Sequence, residues 1–427
     1  MTDKAAVDSQ PHTNEQGPDL AGSRETGGAP QSTSWPEAGS DTLTWNGRAE
    51  IMQQSMSYRD LSGQSYKAFV PPFIAETTYQ PSGQATALAE ESAIAIARFD
   101  ERYGEHLAPF STLLLRSESA ASSRIENLTA SARNLGEAEL GATDKANAAQ
   151  VVRNVKTMET ALAADDNMDS ESVLRMHEAL MAGTPDQDVS GQWRRQQVWI
   201  GSSVVSPIGA TYIAPAHERV PELMEDVMAY ARRSDIPVMV QAAIAHAQFE
   251  TIHPFTDGNG RTGRALMHAM LKRRGTASRV TVPVSSGLLA NVQGYLDALT
   301  AFREGEPDVI IALCAEASFL AIDNGTMLAA DVAAIAESWK SKIVARKDAA
   351  VWKVLDLLAR QPVVNALSLQ EKVGLDYRRA KRAMDDLEAA GIVVGVNKFK
   401  QGRFWRAPDM LKALDAFADR AGRRVAP

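Results

Sequence analysis

Apolar residues recur at intervals of three and four along most of the chain, the spacing that places them on one face of a helix. The most apolar run, residues 309–322, is interrupted by Glu316, so it predicts a buried helix rather than a membrane span. Two further helices are expected between residues 220 and 253. The pattern therefore predicts a mainly α fold, with other helices at 87–103, 110–116, 148–163, 170–181 and 286–302.

Residues 191–215 differ from the helical stretches in composition and in the spacing of their apolar residues. Residues that favour β-strands, such as Trp199, Ile200, Tyr212 and Ile213, flank a stretch rich in Ser, Pro and Gly. This order is typical of a short β-hairpin. A loop that only covers the core would have a similar composition, so the pattern alone leaves both interpretations open.

The N-terminal segment has a third composition. Residues 1–45 are rich in Ser, Thr, Gly, Pro, Asp and Glu and hold few large apolar side chains. Such a segment cannot bury enough apolar surface to offset the entropy lost on ordering it. We therefore expect residues 1–48 to be disordered.

The C-terminal region is basic, whereas the rest of the chain is acidic. Residues 351–427 hold 15 Lys and Arg against 9 Asp and Glu. The pattern there predicts helices and then strands, at 351–360, 367–373, 378–390, 391–394 and 403–406. This is the element order of a winged helix-turn-helix.

The third of these helices is expected to carry its cations outward. Such a face suits contact with the phosphates of duplex DNA. The same fold also serves as a dimerisation or target-docking module, so DNA and a homodimer are both open as partners. The outward cations are Arg378, Arg379, Lys381 and Arg382.

Overall composition bears on the compartment. The net charge of −8 gives no general attraction to nucleic acid or anionic lipid. Cys314 is the only cysteine and cannot form a disulfide within one chain, and residues 1–12 lack the apolar stretch of a secretory signal. We expect a cytoplasmic protein without a membrane partner.

Residues 253–264, His-Pro-Phe-Thr-Asp-Gly-Asn-Gly-Arg-Thr-Gly-Arg, carry the clearest chemical signal. The Gly-Asn-Gly turn at 258–260 can present bare backbone N–H groups just before a helix, whose dipole adds to their attraction for an anion. Arg261 and Arg264 are three residues apart, so they share a helical face and can hold further phosphate oxygens. The turn and the arginines predict a site for a phosphorylated ligand.

Two titratable residues complete this loop. Asp257 offers a hard oxygen ligand suited to Mg²⁺ on a polyphosphate, and His253 can accept a proton near neutral pH. Each feature alone is ordinary in a loop, but all of them within one short stretch predict phosphate transfer in which a base activates a nucleophile. The stretch is not a P-loop, because Gly-x-x-x-x-Gly-Lys-Ser/Thr does not occur there.

The same string resembles the signature of the Fic family, His-x-Phe-x-(Asp/Glu)-Gly-Asn-Gly-Arg-x-x-Arg, at every defined position. Fic proteins mostly transfer AMP from ATP to a hydroxyl side chain of a target protein. The resemblance implies a helical Fic domain, ATP as the substrate and Mg²⁺ as its metal. It also implies that the hairpin at 191–215 is a flap beside the active site, which pairs with backbone of the target.

The resemblance implies a role for each position. His253 would be the general base, Asp257 would hold Mg²⁺ between the α- and β-phosphates, and Phe255 would anchor the loop. Tyr295 would close over the adenine, although a core tyrosine is the alternative and Gly294 stands where the family often has a second tyrosine. The remaining ATP contacts would come from Gly258, Asn259, Gly260, Arg261, Thr262, Gly263 and Arg264.

A second motif lies upstream, at residues 122–127. Ser-Ser-Arg-Ile-Glu-Asn resembles the Fic inhibitory pattern, Ser/Thr-x-x-x-Glu-Gly/Asn, of the class whose inhibitory helix is N-terminal. The carboxylate of Glu126 would form a bidentate pair with Arg264 and compete with the γ-phosphate of bound ATP. A misplacement of the α-phosphate by about 1 Å can cost roughly a hundredfold in rate. The resemblance thus implies an inhibitory Glu126 at the ATP site.

Together these features predict a self-inhibited protein adenylyltransferase that modifies a Ser, Thr or Tyr hydroxyl of a target protein or of itself. Two alternatives remain. An enzyme that removes AMP would use the same residues, and a DNA-binding transcriptional regulator would use the Fic body to sense nucleotide.

The expected organisation has five parts. Because residues 338–349 are polar and rich in Lys, we expect the C-terminal unit to separate from the catalytic body. The parts are a disordered segment at 1–48, an N-terminal helical region with the inhibitory helix at 49–140, the Fic core at 141–325, a linker helix at 326–348 and the winged helix-turn-helix at 349–420.

Overall fold

Helices dominate the structure, a computed structural model, and the strands are few and short. The mainly α fold expected from the helical spacing is therefore confirmed. The residues that the structure describes are 34–46, 63–104, 108–142, 145–164, 168–201, 206–398 and 402–422.

The helices that precede the signature loop build most of the core. Side chains start two of them, because Ser131 accepts a hydrogen bond from the Asn134 N–H and Asp169 accepts one from the Ser172 N–H. These helices are α1 (Gly83–Gly104), α2 (Ala108–Ile125), α3 (Ala132–Glu139), α4 (Ala146–Leu162), α5 (Ser170–Met181), α6 (Val220–Arg232) and α7 (Val238–Ile252).

The next four helices are α8 (Asn259–Arg273), α9 (Val284–Leu289), α10 (Val292–Arg303) and α11 (Pro307–Lys342). The single helix expected over 286–302 is wrong. Asn291 accepts a hydrogen bond from the Gly294 N–H at 2.9 Å and so caps a new helix, which divides the stretch into α9 and α10.

Helix α11 is longer than the sequence pattern indicates. It has 36 residues and runs without a break through the boundary expected at 325, so the core helix and the linker helix are one. By length and composition alone it could cross a membrane. In the structure it packs against α1, α9 and α10, with Ile310 and Cys314 fully buried.

The N-terminal segment is ordered where the structure describes it. Strand β1 (Gly39–Thr44) pairs antiparallel with β2 (Ser65–Val70), and Trp45 is only 6% exposed. The expectation of disorder is therefore wrong for residues 34–46, because a partner strand and a buried ring supply the stabilisation that composition does not show. Residues 1–33, 47 and 48 lie outside the described residues.

The expected hairpin is present. Strands β3 (Trp199–Ile200) and β4 (Tyr212–Ile213) pair antiparallel, and residues 202–205 between them lie outside the described part of the chain. Flanking hydrogen bonds extend the pairing on both sides, from Thr211 N–H to the Ile200 carbonyl and from Ala214 N–H to the Val198 carbonyl.

The C-terminal region comprises α12 (Ala350–Arg360), β5 (Val363–Asn365), α13 (Ala366–Val373), α14 (Tyr377–Ala389), β6 (Val394–Lys398), β7 (Gly402–Arg406) and α15 (Pro408–Ala421). Its strands form one antiparallel sheet in the order β5-β7-β6. The strand expected at 391–394 is wrong, because Gly391 and Ile392 donate to carbonyls of the last turn of α14. The strand starts only after this capping turn.

The C-terminal region packs on the preceding helices rather than standing apart. Arg124 donates to the Ala418 carbonyl at 2.8 Å, and the Ala132 N–H donates to Asp415 at 2.8 Å. Phe417 belongs to the same continuous buried cluster as Leu114 of α2. The polar segment at 343–349 therefore does not divide the structure into two cores, and the expected domain boundaries stay a prediction.

Candidate active site

The signature loop connects two helices through two left-handed residues. His253 ends α7 with φ 52° and ψ 60°, and Gly258 begins α8 with φ 78°. Glycine adopts this conformation freely, but for histidine it costs on the order of 1 kcal/mol. The surroundings of the loop must therefore hold His253 in place.

The loop is tied together from inside by Asn259. Its Oδ1 accepts from the Phe255 N–H at 2.8 Å, and its Nδ2 donates to the Phe255 carbonyl at 2.9 Å. Phe255 is fully buried and stacks on His177 with ring centroids 3.7 Å apart. The loop is thus pinned to the core at its midpoint.

His177, which sequence reasoning missed, supports the loop from α5. Its Nδ1 accepts from the Gly191 N–H at 3.1 Å, so the ring proton lies on Nε2, which donates to the Asp257 carbonyl at 3.2 Å. Burial lowers the pKa of His177 to about 4, so the ring is neutral. Its only sequence signal is a histidine on the inner face of a predicted helix.

His253 has one ring nitrogen available for chemistry. Nδ1 lies 3.3 Å from the Glu250 carbonyl and donates to it, so Nε2 carries the free lone pair. The side chain is 27% exposed. Burial lowers the pKa of His253 to about 4, so the imidazole is neutral and able to accept a proton at pH 7.

Glu250, one turn before His253, is a second group that sequence reasoning missed. Its Oε2 lies 4.0 Å from His253 Nδ1. Burial raises the pKa of Glu250 to about 7, although the charge of Arg264 acts in the opposite direction. A carboxyl group that titrates near neutrality therefore borders the base.

Arg261 and Asp257 form a pair at the open side of the loop. Arg261 Nη2 lies 3.2 Å from Asp257 Oδ2; the arginine side chain is 5% exposed and the carboxylate 57%. The described residues contain no group of three or more His, Cys, Asp or Glu arranged to hold a metal. One exposed carboxylate fits Mg²⁺ held mostly by phosphates and water.

Arg264 is occupied by the end of helix α2. Its Nη2 donates to Glu126 Oε1 at 2.8 Å and to the Ser122 carbonyl at 2.9 Å, while its Nε donates to Ser122 Oγ at 2.9 Å. The contact expected between Glu126 and Arg264 is present. The bidentate form expected for it is wrong, because the contact to Arg264 is made by Oε1 alone, through Nη2, while Ser122 takes Nε and shares Nη2.

The Glu126 carboxylate rests directly on the first turn of α8. A Cβ atom added at Gly260 would lie 2.0 Å from Glu126 Oε1, so only glycine allows this approach. The N-terminal end of a helix attracts anions through its free N–H groups and its dipole. A carboxylate therefore occupies the position at which the sequence predicts a phosphate.

Thr262 and Gly263 face the core. Thr262 is fully buried, and a Cβ atom at Gly263 would lie 2.8 Å from Cδ1 of Phe249 on α7. Their side-chain positions point to helix packing, so any contact that they make with ATP would come from their backbone N–H groups.

Tyr295 lies in the core. It is 2% exposed, its hydroxyl lies 2.8 Å from His246 Nε2, and the two rings are nearly parallel. In this conformation the ring offers no free face to an adenine. The structure thus favours the core-tyrosine alternative, whereas Leu296 beside it is 49% exposed.

Helix α2 is held in place by buried polar contacts. Glu118 on α2 accepts from the Ser285 N–H and from His268 Nε2, each at 2.9 Å. Asn154 on α4 donates to the Ser119 carbonyl at 2.9 Å. These contacts fix α2 so that its C-terminal end reaches the loop.

Comparison with known proteins agrees with the signature. Residues 167–271, which include the whole loop, match the model of the Fic/DOC family. The chain is similar to the protein adenylyltransferase Fic of Drosophila willistoni, at 36% identity over 105 residues, which is 25% of this chain and 20% of the relative.

A second relative and one solved structure match other shares of the chain. A probable protein adenylyltransferase of Aquifex aeolicus is 32% identical over 134 residues, 28% of this chain and 37% of that protein. The chain thus matches well under half the length of these curated relatives. A solved Fic family protein from Desulfovibrio desulfuricans is 20% identical, with 77% of this chain and 98% of that chain covered and a TM-score of 0.49.

Proposed function

We propose, from the Fic domain that residues 167–271 form, that the protein transfers AMP from ATP to a hydroxyl side chain of a target protein or of itself. The observation that carries this proposal is the placement of a neutral His253 at one end of a loop whose other end is the N-terminus of α8. A base and an anion site then flank one reacting phosphate. The adenylyltransferase names of the relatives support the same chemistry.

His253 Nε2 takes the proton of the target hydroxyl. The hydroxyl oxygen then forms a bond to the α-phosphorus of ATP, and the bond from that phosphorus to the bridging oxygen breaks, with pyrophosphate as the leaving group. The N–H groups of Gly258, Asn259 and Gly260 stabilise the charge on the phosphate oxygens, and Arg261 and Arg264 hold the outer phosphates. The backbone N–H groups are fixed by the loop, so they need no rearrangement during the reaction.

Asp257 is the residue that would hold Mg²⁺. The ion, when bound, would neutralise charge on the phosphates. In the structure Arg261 neutralises this carboxylate, so Asp257 and Arg261 would have to part for the carboxylate to hold the ion and for this Nη2 to contact phosphate oxygens.

The resting protein is proposed to be self-inhibited by Glu126. Its carboxylate satisfies Arg264 and covers the first turn of α8, two positions that the phosphates of ATP require. ATP would bind with its outer phosphate displaced, and the α-phosphorus would be misaligned for attack. Any event that moves the end of α2 would release the enzyme.

DNA contact is proposed as a second property of the C-terminal region, which we interpret as a winged helix. The exposed cations of α14 support it, although Lys381 is paired with Asp385 at 2.6 Å and Arg379 with Asp376 at 3.5 Å. Binding to duplex DNA that weakens with salt, and that is lost when the four cations are replaced by alanine, is expected. Unchanged binding in that variant would contradict this role, and a homodimer remains a prediction.

Transfer is tested with nucleotides labelled on the α-phosphate. The Glu126→Gly chain is incubated with ATP, CTP, GTP or UTP, with and without cell extract, and ATP is expected to label protein covalently. His253→Ala in the same background should reduce labelling by about 10² to 10⁴. His217→Ala, a histidine in the turn before α6, is the matched control and should keep it.

Two results would contradict the proposal. Equal labelling by the His253→Ala chain would remove the histidine from the mechanism. Loss of AMP from a previously labelled target, with no labelling in any arm, would favour the enzyme that removes AMP.

A further inference from the structure

Arg194 is a buried arginine whose hydrogen bonds go to backbone carbonyls. It is 4% exposed. Its Nε donates to the His253 carbonyl at 2.8 Å, its Nη1 to the Gln196 carbonyl at 2.9 Å and its Nη2 to the Pro215 carbonyl at 2.6 Å. Its own backbone N–H donates to the Pro254 carbonyl at 2.9 Å.

These carbonyls belong to two functional segments. His253 and Pro254 lie in the left-handed turn that presents the base, whereas Gln196 and Pro215 lie at the two feet of the hairpin, just before β3 and just after β4. One planar guanidinium therefore joins the hairpin to the catalytic turn. A lysine cannot copy this arrangement, because its ammonium is a single point from which three directions cannot be fixed at these distances.

We propose that Arg194 is a positioning residue that holds His253 in its left-handed conformation and sets the hairpin at a fixed height above it. This inference rests on the proposed transfer reaction. A target segment that pairs with the hairpin would then have its hydroxyl placed relative to His253 Nε2 through the hydrogen bonds of Arg194. The hydroxyl of Tyr212 on β4, which donates to the Thr251 carbonyl, is a second tie between the same two segments.

A purely structural staple and a positioning residue differ in their effect on the base. Burial is the main cause that lowers the pKa of His253, and the hydrogen bond to the Glu250 carbonyl opposes it. The charges of Arg194 and Arg303 lower this pKa further, whereas Glu126 raises it. Glu250 lies against the same ring. Removal of the Arg194 charge should therefore raise the pKa of His253. Looser packing would also raise this pKa, because burial is the main cause that lowers it, so Arg194→Lys, which keeps the charge, measures the packing effect alone.

The test uses Arg194→Lys and Arg194→Gln in the full-length Glu126→Gly chain, with the exposed neighbour substituted in Arg195→Gln as the matched control. Self-labelling at saturating ATP, ATP affinity and the pH dependence of the rate are measured. Both Arg194 variants should lose about tenfold to a hundredfold in rate, because the base is displaced by a fraction of an ångström to about 1 Å. ATP affinity should stay at the parent value, since other residues bind the phosphates.

The pH profile separates the two variants. Arg194→Gln should move the acid limb of the rate to higher pH, whereas Arg194→Lys, which keeps the charge, should leave it in place. Parent rates in either folded variant, or an unmoved acid limb in Arg194→Gln, would overturn the proposal. If Arg194→Gln does not fold, the rate of Arg194→Lys against Arg195→Gln decides, and absence of labelling in the Glu126→Gly parent would instead contradict the proposed function.

Discussion

The roles of some residues of the site can be predicted from the sequence, whereas the roles of others cannot. His253, Asp257 and Arg261 can be identified because they follow one another in a single loop. Arg194 and His177 cannot, because their partners are backbone groups of segments far away in the chain, and backbone groups leave no residue pattern. The residues proposed for the reaction could therefore be predicted from the sequence, whereas the residues that hold them in position could not.

His177 supplies a test of that support. In His177→Ala the Asp257 carbonyl and the Gly191 N–H lose their partner and Phe255 loses its stacked ring. The free energy of unfolding should fall by about 1–3 kcal/mol, and self-labelling in the Glu126→Gly background should fall with it. Thermal and urea unfolding measure the first effect; a variant as stable as its parent would show that the loop is held by other contacts.

Glu250 predicts a pH dependence of stability. Burial raises its pKa from 4.5 to about 7, so between these values the folded protein keeps a proton that the unfolded chain has lost. Glu250 therefore contributes stability that is lost as pH rises through this window, by on the order of 3 kcal/mol. The lowered pKa values of His177 and His253 act in the opposite direction between about pH 4 and 6.5, so the Glu250 contribution is the difference between wild type and a variant without this carboxyl.

Glu250→Gln lacks the titrating group and should lose this dependence. Urea unfolding of both proteins at pH 5 and pH 8 measures it, with the exposed Glu91→Gln as the matched control. Equal changes in wild type and Glu250→Gln would contradict the raised pKa.

At the scale of elements, the sequence predicts which stretches are helical better than it predicts where a helix or a strand begins and ends. The helices around residues 170–181 and 351–360 follow their apolar spacing closely, because one face of each is buried. The break at Asn291 and the late start of β6 depend on single capping hydrogen bonds, which the apolar spacing does not reveal. Strand β1 escaped prediction because its stabilisation comes from a partner strand.

Helix α2 links the C-terminal region to Glu126, for which we propose an inhibitory role. Arg124, two residues before Glu126, donates to the Ala418 carbonyl of α15. In Arg124→Ala the end of α2 should be less firmly held, so self-labelling with ATP should rise, though less than in Glu126→Gly. The exposed Arg133→Ala on α3 serves as control; no rise in Arg124→Ala would show that α15 does not restrain the inhibitory segment.

At the scale of the whole molecule, the basic C-terminal region and the acidic body share a core. Trp339 of α11 and Phe417 of α15 are both almost fully buried in one cluster. The polar segment before α12 therefore does not show that the C-terminal region folds separately from the body. Its composition describes only the connecting residues, not the contacts between the two regions that they join.

Truncation after Lys340 tests this view. It removes Phe417 and the other α15 contacts, and loss of one buried Phe side chain alone costs about 3–5 kcal/mol. We expect the fragment to melt at lower temperature or to aggregate, whereas replacement of the four exposed cations of α14 by alanine should leave the melting temperature unchanged. A fragment as stable as the full chain would restore the division into separate domains.

We propose that the Glu126 carboxylate occupies the position of an ATP phosphate at Arg264 and the first turn of α8. The direct measurement is the rate of covalent self-labelling by ATP in wild type, in Glu126→Gly and in Glu126→Gly with Arg264→Ala, at several Mg²⁺ concentrations. Glu126→Gly should be faster than wild type by a factor on the order of a hundred, and Arg264→Ala should cancel that gain. A Glu126→Gly chain no faster than wild type at any Mg²⁺ concentration would contradict the account.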